Sequence, residues 1–244
     1  MKRSFPMKKT AKTVMALILS LIMFCSLTAA FAEGGQSVRN VNEAFALVRD
    51  TELIAIYDAE LYRNGKCENV YYVVCKGLDF SEFNPDQPRS YANAIKIALS
   101  CEKNSYITAL ISAVSSNVPA GAKVVFLGHS MGGMVIQQAI ASKELKDKYD
   151  IVCSTTLGSP YILTGGAKEG TLYRVIDSID PVAYLSIPLL ANPCIGKVSV
   201  ETSFLVPLVH FRSYESGWCW RSYDCLGVKN GGAYVVLNDL VYYA

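Results

Sequence analysis

Residues 124–142 constrain this chain more than any other stretch. Val124-Val125-Phe126-Leu127 is a short apolar run of the kind that forms a strand buried on both faces. Gly128-His129-Ser130-Met131-Gly132-Gly133 follows, and the residues from 131 to 142 favour a helix. A strand, a Gly-x-Ser-x-Gly turn and a helix, in that order, make a sharp elbow. Side chains two residues either side of the serine would collide with the neighbouring strand and helix, which accounts for Gly128 and Gly132. The serine itself must take a strained backbone conformation. The N–H groups at the start of the helix point toward any negative charge that develops beside it. Gly and Ser are common enough for the three-position pattern to recur by chance. Its place between strand and helix makes it informative.

A serine hydroxyl is a poor nucleophile without a base, and the chain has two histidines. His129 adjoins Ser130, and on such a turn its side chain points away from the serine, so it is expected to be a packed structural residue. His210, in Leu208-Val209-His210-Phe211, is left as the base. The acid is expected between Ser130 and His210, on a loop after a strand. Tyr173-Arg174-Val175-Ile176 is that strand, and Asp177 and Asp180 follow it. Asp177 stands where it could cap the turn. Asp180 lies three residues further out, before Pro181, where a loop carboxylate can reach the imidazole Nδ1–H. Spacing favours Asp180 and leaves Asp177 open, with Glu201 and Asp224 next in order. A tetrahedral oxyanion needs two donors. One is the Met131 N–H, and the second is expected on a loop after an earlier strand. Tyr71-Tyr72-Val73-Val74-Cys75 is such a strand, and Lys76-Gly77-Leu78 after it offers the Leu78 N–H.

The remaining pattern sets the fold class. Residues 41–48 read as a short helix and 92–116 as helix in two pieces. Residues 53–62 and 70–75 read as strands, with the hairpin signal Asn64-Gly65 in a connection longer than the tightest turn. Residues 151–156 and 172–176 are further strands, and 79–90 is a polar loop. The stretch 181–209 is apolar and irregular. It suits an acyl pocket or flap, or equally a core-covering loop with a strand in it. Strands alternating with helices predict an α/β fold: a mainly parallel central sheet with helices on both faces.

Lys2, Arg3, Lys8, Lys9 and Lys12 precede an apolar run over 14–30, and Ala30-Phe31-Ala32 has the small-x-small form of a cleavage site. Residues 1–32 therefore read as a secretory signal peptide, the run being short for a membrane span. The domain expected is 33–244, 212 residues, enough for one core with little or no cap. Without the leader, 18 basic residues face 21 acidic ones, a net charge of −3. No basic, aromatic-interleaved stretch argues for nucleic acid. Seven cysteines remain, an odd number, and export permits disulfides. Cys219 and Cys225, flanking a five-residue loop, are the best pair. Two histidines and no Cys-x-x-Cys argue against a zinc site. No metal and no other cofactor is implied.

Taken together, these residues resemble the class 3 (fungal-type) lipases of the α/β-hydrolase superfamily. The elbow of those lipases commonly reads Gly-His-Ser-x-Gly-Gly, as 128–133 does here. Their acid follows an Arg-Val-Val-like strand, and Arg174-Val175-Ile176-Asp177-Ser178-Ile179-Asp180-Pro181-Val182 is similar, which places the acid on Asp180. Glu215 and Trp218 echo the acidic and aromatic residues that follow their histidine. Lys76-Gly77-Leu78 departs from their Arg-Gly-hydroxyl pattern and leaves only a backbone donor. The loop after Gly77 is short where they carry a lid helix. The resemblance implies an α/β-hydrolase fold and a lipase or esterase that cleaves carboxylic esters through an acyl-enzyme on Ser130. Acyl transfer, thioester or amide cleavage by the same residues, and an inactive binding protein on the same fold, are the competing expectations. The expected partner is a small-molecule or lipid ester, met in solution or at a lipid–water interface, with no nucleic acid and no stable protein partner.

Overall fold

The computed structural model describes residues 35–78, 86–99, 104–185, 197–203 and 209–244. The leader over 1–32, most of the polar loop after Leu78, large parts of 181–209, and Cys25, Cys101 and Cys194 lie outside the described residues. The chain divides into a first unit, Met1–Gln36, of which 35 and 36 are described, and a second, Ser37–Ala244, which holds the core and the site.

The strands are β1 (Gln36–Val38), β2 (Ile54–Arg63), β3 (Lys66–Cys75), β4 (Lys123–His129), β5 (Asp150–Leu157), β6 (Thr171–Asp177), β7 (Lys197–Glu201) and β8 (Tyr234–Tyr243). The helices are α1 (Val41–Asp50), α2 (Tyr91–Ala98), α3 (Ser105–Asn117), α4 (Met131–Ala139), α5 (Lys143–Lys146) and α6 (Val209–Glu215), with a 3₁₀ turn at Pro181–Tyr184. Among the described residues the strands form one sheet in the order β1-β8-β2-β3-β4-β5-β6-β7. From β3 to β7 every pair is parallel, while β2 runs antiparallel to both β3 and β8. The sheet is thus mostly parallel, as the alternation of elements predicted. Helix α6 and strand β8 were not marked in the sequence.

The parallel strands are added in one direction, and crossovers between parallel strands are right-handed. Helices α3 and α4, which lie on two such crossovers, therefore cover the same face. Their Tyr106, Leu110, Val114, Val135 and Ile136 pack there with Val73, Val124 and Phe126. The other face must be covered by the ends of the domain. Phe45 and Leu47 from α1, Tyr214 from α6 and the 219–226 loop pack against Val74, Val125 and Leu127. Adjacent residues of β4 fall on opposite faces, as the two-residue strand period requires. Both faces are buried, so the apolar run is unbroken.

The hairpin differs from its prediction. Arg63 pairs with Lys66, so Asn64 and Gly65 alone make the turn. Their φ values of 51° and 71° suit the two-residue turn whose twist matches that of the strands. Polar residues from Lys66 to Asn69 hid the start of β3. Each still pairs with β2 through its backbone.

Cys219 and Cys225, expected to form a disulfide, are free, as are Cys67, Cys75 and Cys153. The loop between them is held without a covalent link. Trp220 is fully buried, stacks on Tyr214 at 5.8 Å between ring centroids, and donates its indole N–H to the Ser213 carbonyl. The Asp224 carboxylate accepts from the N–H groups of Leu226, Val228 and Ala233. Burial raises both thiols above their ordinary range. A mild reductant is therefore expected to leave the urea midpoint unchanged. A clear drop would show that the fold depends on a disulfide.

Candidate active site

The parallel strands β3, β4 and β6 end at one edge of the sheet, where open α/β sheets place their ligands. Ser130 follows β4 with φ 55° and ψ −124°, a backbone that a side chain other than glycine rarely adopts. It occupies the N-cap position of α4 but makes no capping hydrogen bond with its side chain. An ordinary N-cap serine would accept from the helix N–H groups. Here the hydroxyl is engaged elsewhere. The elbow glycines are required by contact. A Cβ on Gly128 would lie 2.6 Å from Ile136 and 2.8 Å from the Gly132 backbone. On Gly132 it would run into the carbonyls of Cys75 and Lys76.

Helix α6 carries His210 back to this edge. Its Nε2 lies 2.8 Å from Ser130 Oγ, and its Nδ1 lies 2.9 Å from Asp180 Oδ2. All three residues are buried, Asp180 completely. The tautomer follows from the partners. A carboxylate that already accepts from the Val182 N–H and the Tyr214 hydroxyl is an acceptor, so Nδ1 carries the proton. Nε2 is then free to accept from the serine hydroxyl.

Asp177 has a different environment. Its carboxylate accepts from the N–H groups of Ile179 and Ser203 and from the Ser203 hydroxyl. It ties the end of β6 to the chain leaving β7, and does not touch His210 in any hydrogen bond described. Glu201 accepts from Tyr223 and Lys229, and Asp224 caps its own loop. Of the four acids considered from the sequence, Asp180 is the one bonded to the imidazole.

His129 is 3% exposed and packs edge-on against Phe45, with ring centroids 5.0 Å apart. Its Nε2–H donates to the His210 carbonyl at 2.9 Å. Burial, then the neighbouring His210, hold its pKa well below the ordinary 6.5. The folded protein therefore refuses a proton that the unfolded chain takes up below about pH 6.5. Stability is full above that pH and falls as the solution is acidified through it. The urea midpoint is expected to drop between pH 7.5 and 5, and to drop less in His129→Asn. Equal slopes in the two proteins would refute this role.

Gly77 lies against the elbow: a Cβ on it would be 3.1 Å from Ser130 Cβ and 3.2 Å from the His129 carbonyl. The Lys76-Gly77-Leu78 segment thus sits beside the serine, with Met131 the next residue on the other side. Arg89, not singled out in the sequence, donates from Nε to the Gly77 carbonyl and from a terminal nitrogen to the Glu52 carbonyl, each at 2.7 Å. Across a trans peptide the carbonyl and the next N–H point in opposite directions. Arg89 therefore aims the Leu78 N–H away from itself. Glu215 and Trp218 lie outside this network: Glu215 pairs with Arg49, and Trp218 is exposed.

A cavity of about 550 Å³, lined by Ile107, Ile111, Gln138 and Leu163 among others, opens beyond the far end of α4 and includes none of these residues. Among the described residues no group of three His, Cys, Asp or Glu side chains could hold a metal ion, and no helix is long and apolar enough to cross a membrane.

A family model described as PGAP1-like alpha/beta domain matches residues 78–188, which include Leu78, Ser130, Met131 and Asp180 but end before His210. No curated protein matches the chain. The mostly parallel sheet, the elbow at its carboxyl edge and this match give the chain an α/β-hydrolase-type fold, similar over 78–188 to the PGAP1-like family.

Proposed function

We propose that this protein is an exported serine hydrolase that cleaves carboxylic esters through an acyl-enzyme on Ser130. The observation that carries the proposal is the hydrogen-bonded row Ser130–His210–Asp180, buried at the carboxyl edge of the sheet with the serine on a strained elbow. Export is supported by the basic start and apolar run of 1–32, and the lipase-like reading by the class 3 resemblance of the elbow and of the segment leading to Asp180.

The geometry supports the following course for the proposed reaction. His210 Nε2 takes the hydroxyl proton as Ser130 Oγ attacks the ester carbonyl. Asp180, bonded to Nδ1, stabilises the imidazolium that forms. The Met131 and Leu78 N–H groups receive the oxyanion. The C–O bond to the alcohol then breaks, and the imidazolium returns the proton to the leaving oxygen. Water repeats the sequence on the acyl-enzyme with His210 again as base, releasing the acid and restoring Ser130. Apart from the ester and the attacking water, each step draws on groups within this chain.

The test is a panel of p-nitrophenyl esters of increasing acyl length, with a triglyceride emulsion and a phospholipid alongside, and a fluorophosphonate probe. Turnover of at least one ester with probe attached to Ser130 is expected. No ester hydrolysis and no labelling would overturn the proposal. Turnover confined to thioesters or amides would replace the substrate class and keep the nucleophile.

A further inference from the structure

Tyr214 stands outside the triad but touches its acid. It lies four residues after His210 on α6, one helical turn on, so both side chains project from the same face. Its ring is fully buried between Trp220, stacked at 5.8 Å, and Phe45 and His129, at 5.9 and 5.7 Å between centroids. That packing leaves the hydroxyl one position. There it accepts from the Asp177 N–H at 3.1 Å and donates to Asp180 Oδ2 at 3.1 Å. Because the Asp177 N–H can only donate, the phenolic proton must point at Asp180. Burial, with the Asp180 charge second, keeps the phenol well above its ordinary range, so this donor is always protonated. The fold also leaves room for the contact. A Cβ on Gly158 would lie 2.9 Å from both the Tyr214 hydroxyl and Asp180 Oδ2.

Resting on the triad proposed above, we infer that Tyr214 is a positioning residue: its hydroxyl, oriented by the Asp177 N–H, holds the Asp180 carboxylate facing His210 Nδ1. The Asp180 carboxylate sits on a loop and, among the described residues, has two other polar partners, the Val182 N–H on Oδ1 and the imidazole. Without the phenol, Oδ2 would keep only the imidazole, and the carboxylate could turn about its Cβ–Cγ bond. His210 would then lose the partner that sets its tautomer and steadies its charged form, although every triad residue remained.

Tyr214→Phe keeps the ring and its packing and removes only the hydroxyl, taking the donor from Asp180 and the acceptor from the Asp177 N–H. In purified protein with an unchanged melting profile, kcat on a short-chain p-nitrophenyl ester is expected to fall roughly ten- to hundredfold, the range spanned by a hydrogen bond to a charged group, with KM held within about twofold. The same substitution on Asp180→Asn should cost less than about twofold more, because the hydroxyl acts through the carboxylate. An unchanged kcat overturns the inference, and so does a loss that multiplies in full on Asp180→Asn, as an independent packing effect would. A readout without substrate separates this from failure of the ester reading. With two histidines in the chain, the ring N–H protons of ¹⁵N-histidine-labelled protein can be assigned by substitution. The His210 Nδ1–H resonance, identified by its loss in Asp180→Asn, should shift in Tyr214→Phe while the His129 signal stays. If the wild-type protein cleaved no ester, the ester reading would fail, and the resonance would still decide Tyr214: a shift supports the positioning role and no shift refutes it.

Discussion

Ser130→Ala is expected to lower kcat for ester hydrolysis by about 10⁶-fold and to abolish fluorophosphonate labelling in a protein that stays folded. The size of the effect follows from the site. The hydroxyl is the atom that attacks, and among the described residues no second serine bonds His210. Folding should survive because the side chain caps nothing. Ser130 makes no side-chain bond to α4, and its N–H bond to the Leu157 carbonyl is a backbone one. Alanine at φ 55° keeps the same strain that serine bears, so the elbow loses little. The check is turnover by pure protein, with circular dichroism and a melting curve beside the wild type. Retained turnover would remove Ser130 from the mechanism.

The second large effect separates two carboxylates three residues apart. Asp180→Asn should lower kcat/KM by roughly 10³- to 10⁴-fold, because an amide facing Nδ1 favours the wrong tautomer and cannot stabilise the imidazolium. Asp177→Asn should leave the rate within a few-fold and cost stability instead. Its carboxylate is buried and accepts from two backbone N–H groups and the Ser203 hydroxyl, and weakening such bonds to a charged group costs about 1–3 kcal/mol. Both variants are compared on a short-chain ester and in urea. A crippled Asp177 variant beside an intact Asp180 variant would reverse the roles assigned here.

These two acids show where local sequence stops being informative. The order serine, acid, histidine narrowed the acid to a short loop, and the loop is where the imidazole's partner lies. Spacing leaned toward Asp180, but nothing local could exclude Asp177. The choice depends on Ser203, 26 residues beyond Asp177, which already occupies the nearer carboxylate. Resemblance pointed to Asp180, and the packing supplies the reason. Arg89 and Tyr214 were missed for the same cause. Arg89 acts on a carbonyl 12 residues back. Tyr214 had one local signal, its spacing of four from His210, but that spacing means something only once 209–215 is known to be helical. The disulfide expected at Cys219–Cys225 failed because spacing says nothing about Trp220, which fills the loop and anchors it.

By itself the sequence determined what short-range sterics and periodicity control. The elbow is forced by Gly128 and Gly132, which must admit a neighbouring helix and strand at contact distance. The parallel sheet is forced by apolar runs too continuous for any strand with a wet face. Tertiary structure alone decided which distant groups share a site. Sequential parallel strands with right-handed crossovers put α3 and α4 on one face and left the other to α1 and α6. That arrangement brings His210, 80 residues from Ser130, to the carboxyl edge, with Tyr214 one turn behind it on the acid. The physical reason is range. A glycine's lack of a side chain acts on its immediate neighbours, whereas the direction of a hydroxyl or a carboxylate is set by whichever groups the finished packing brings within 3 Å.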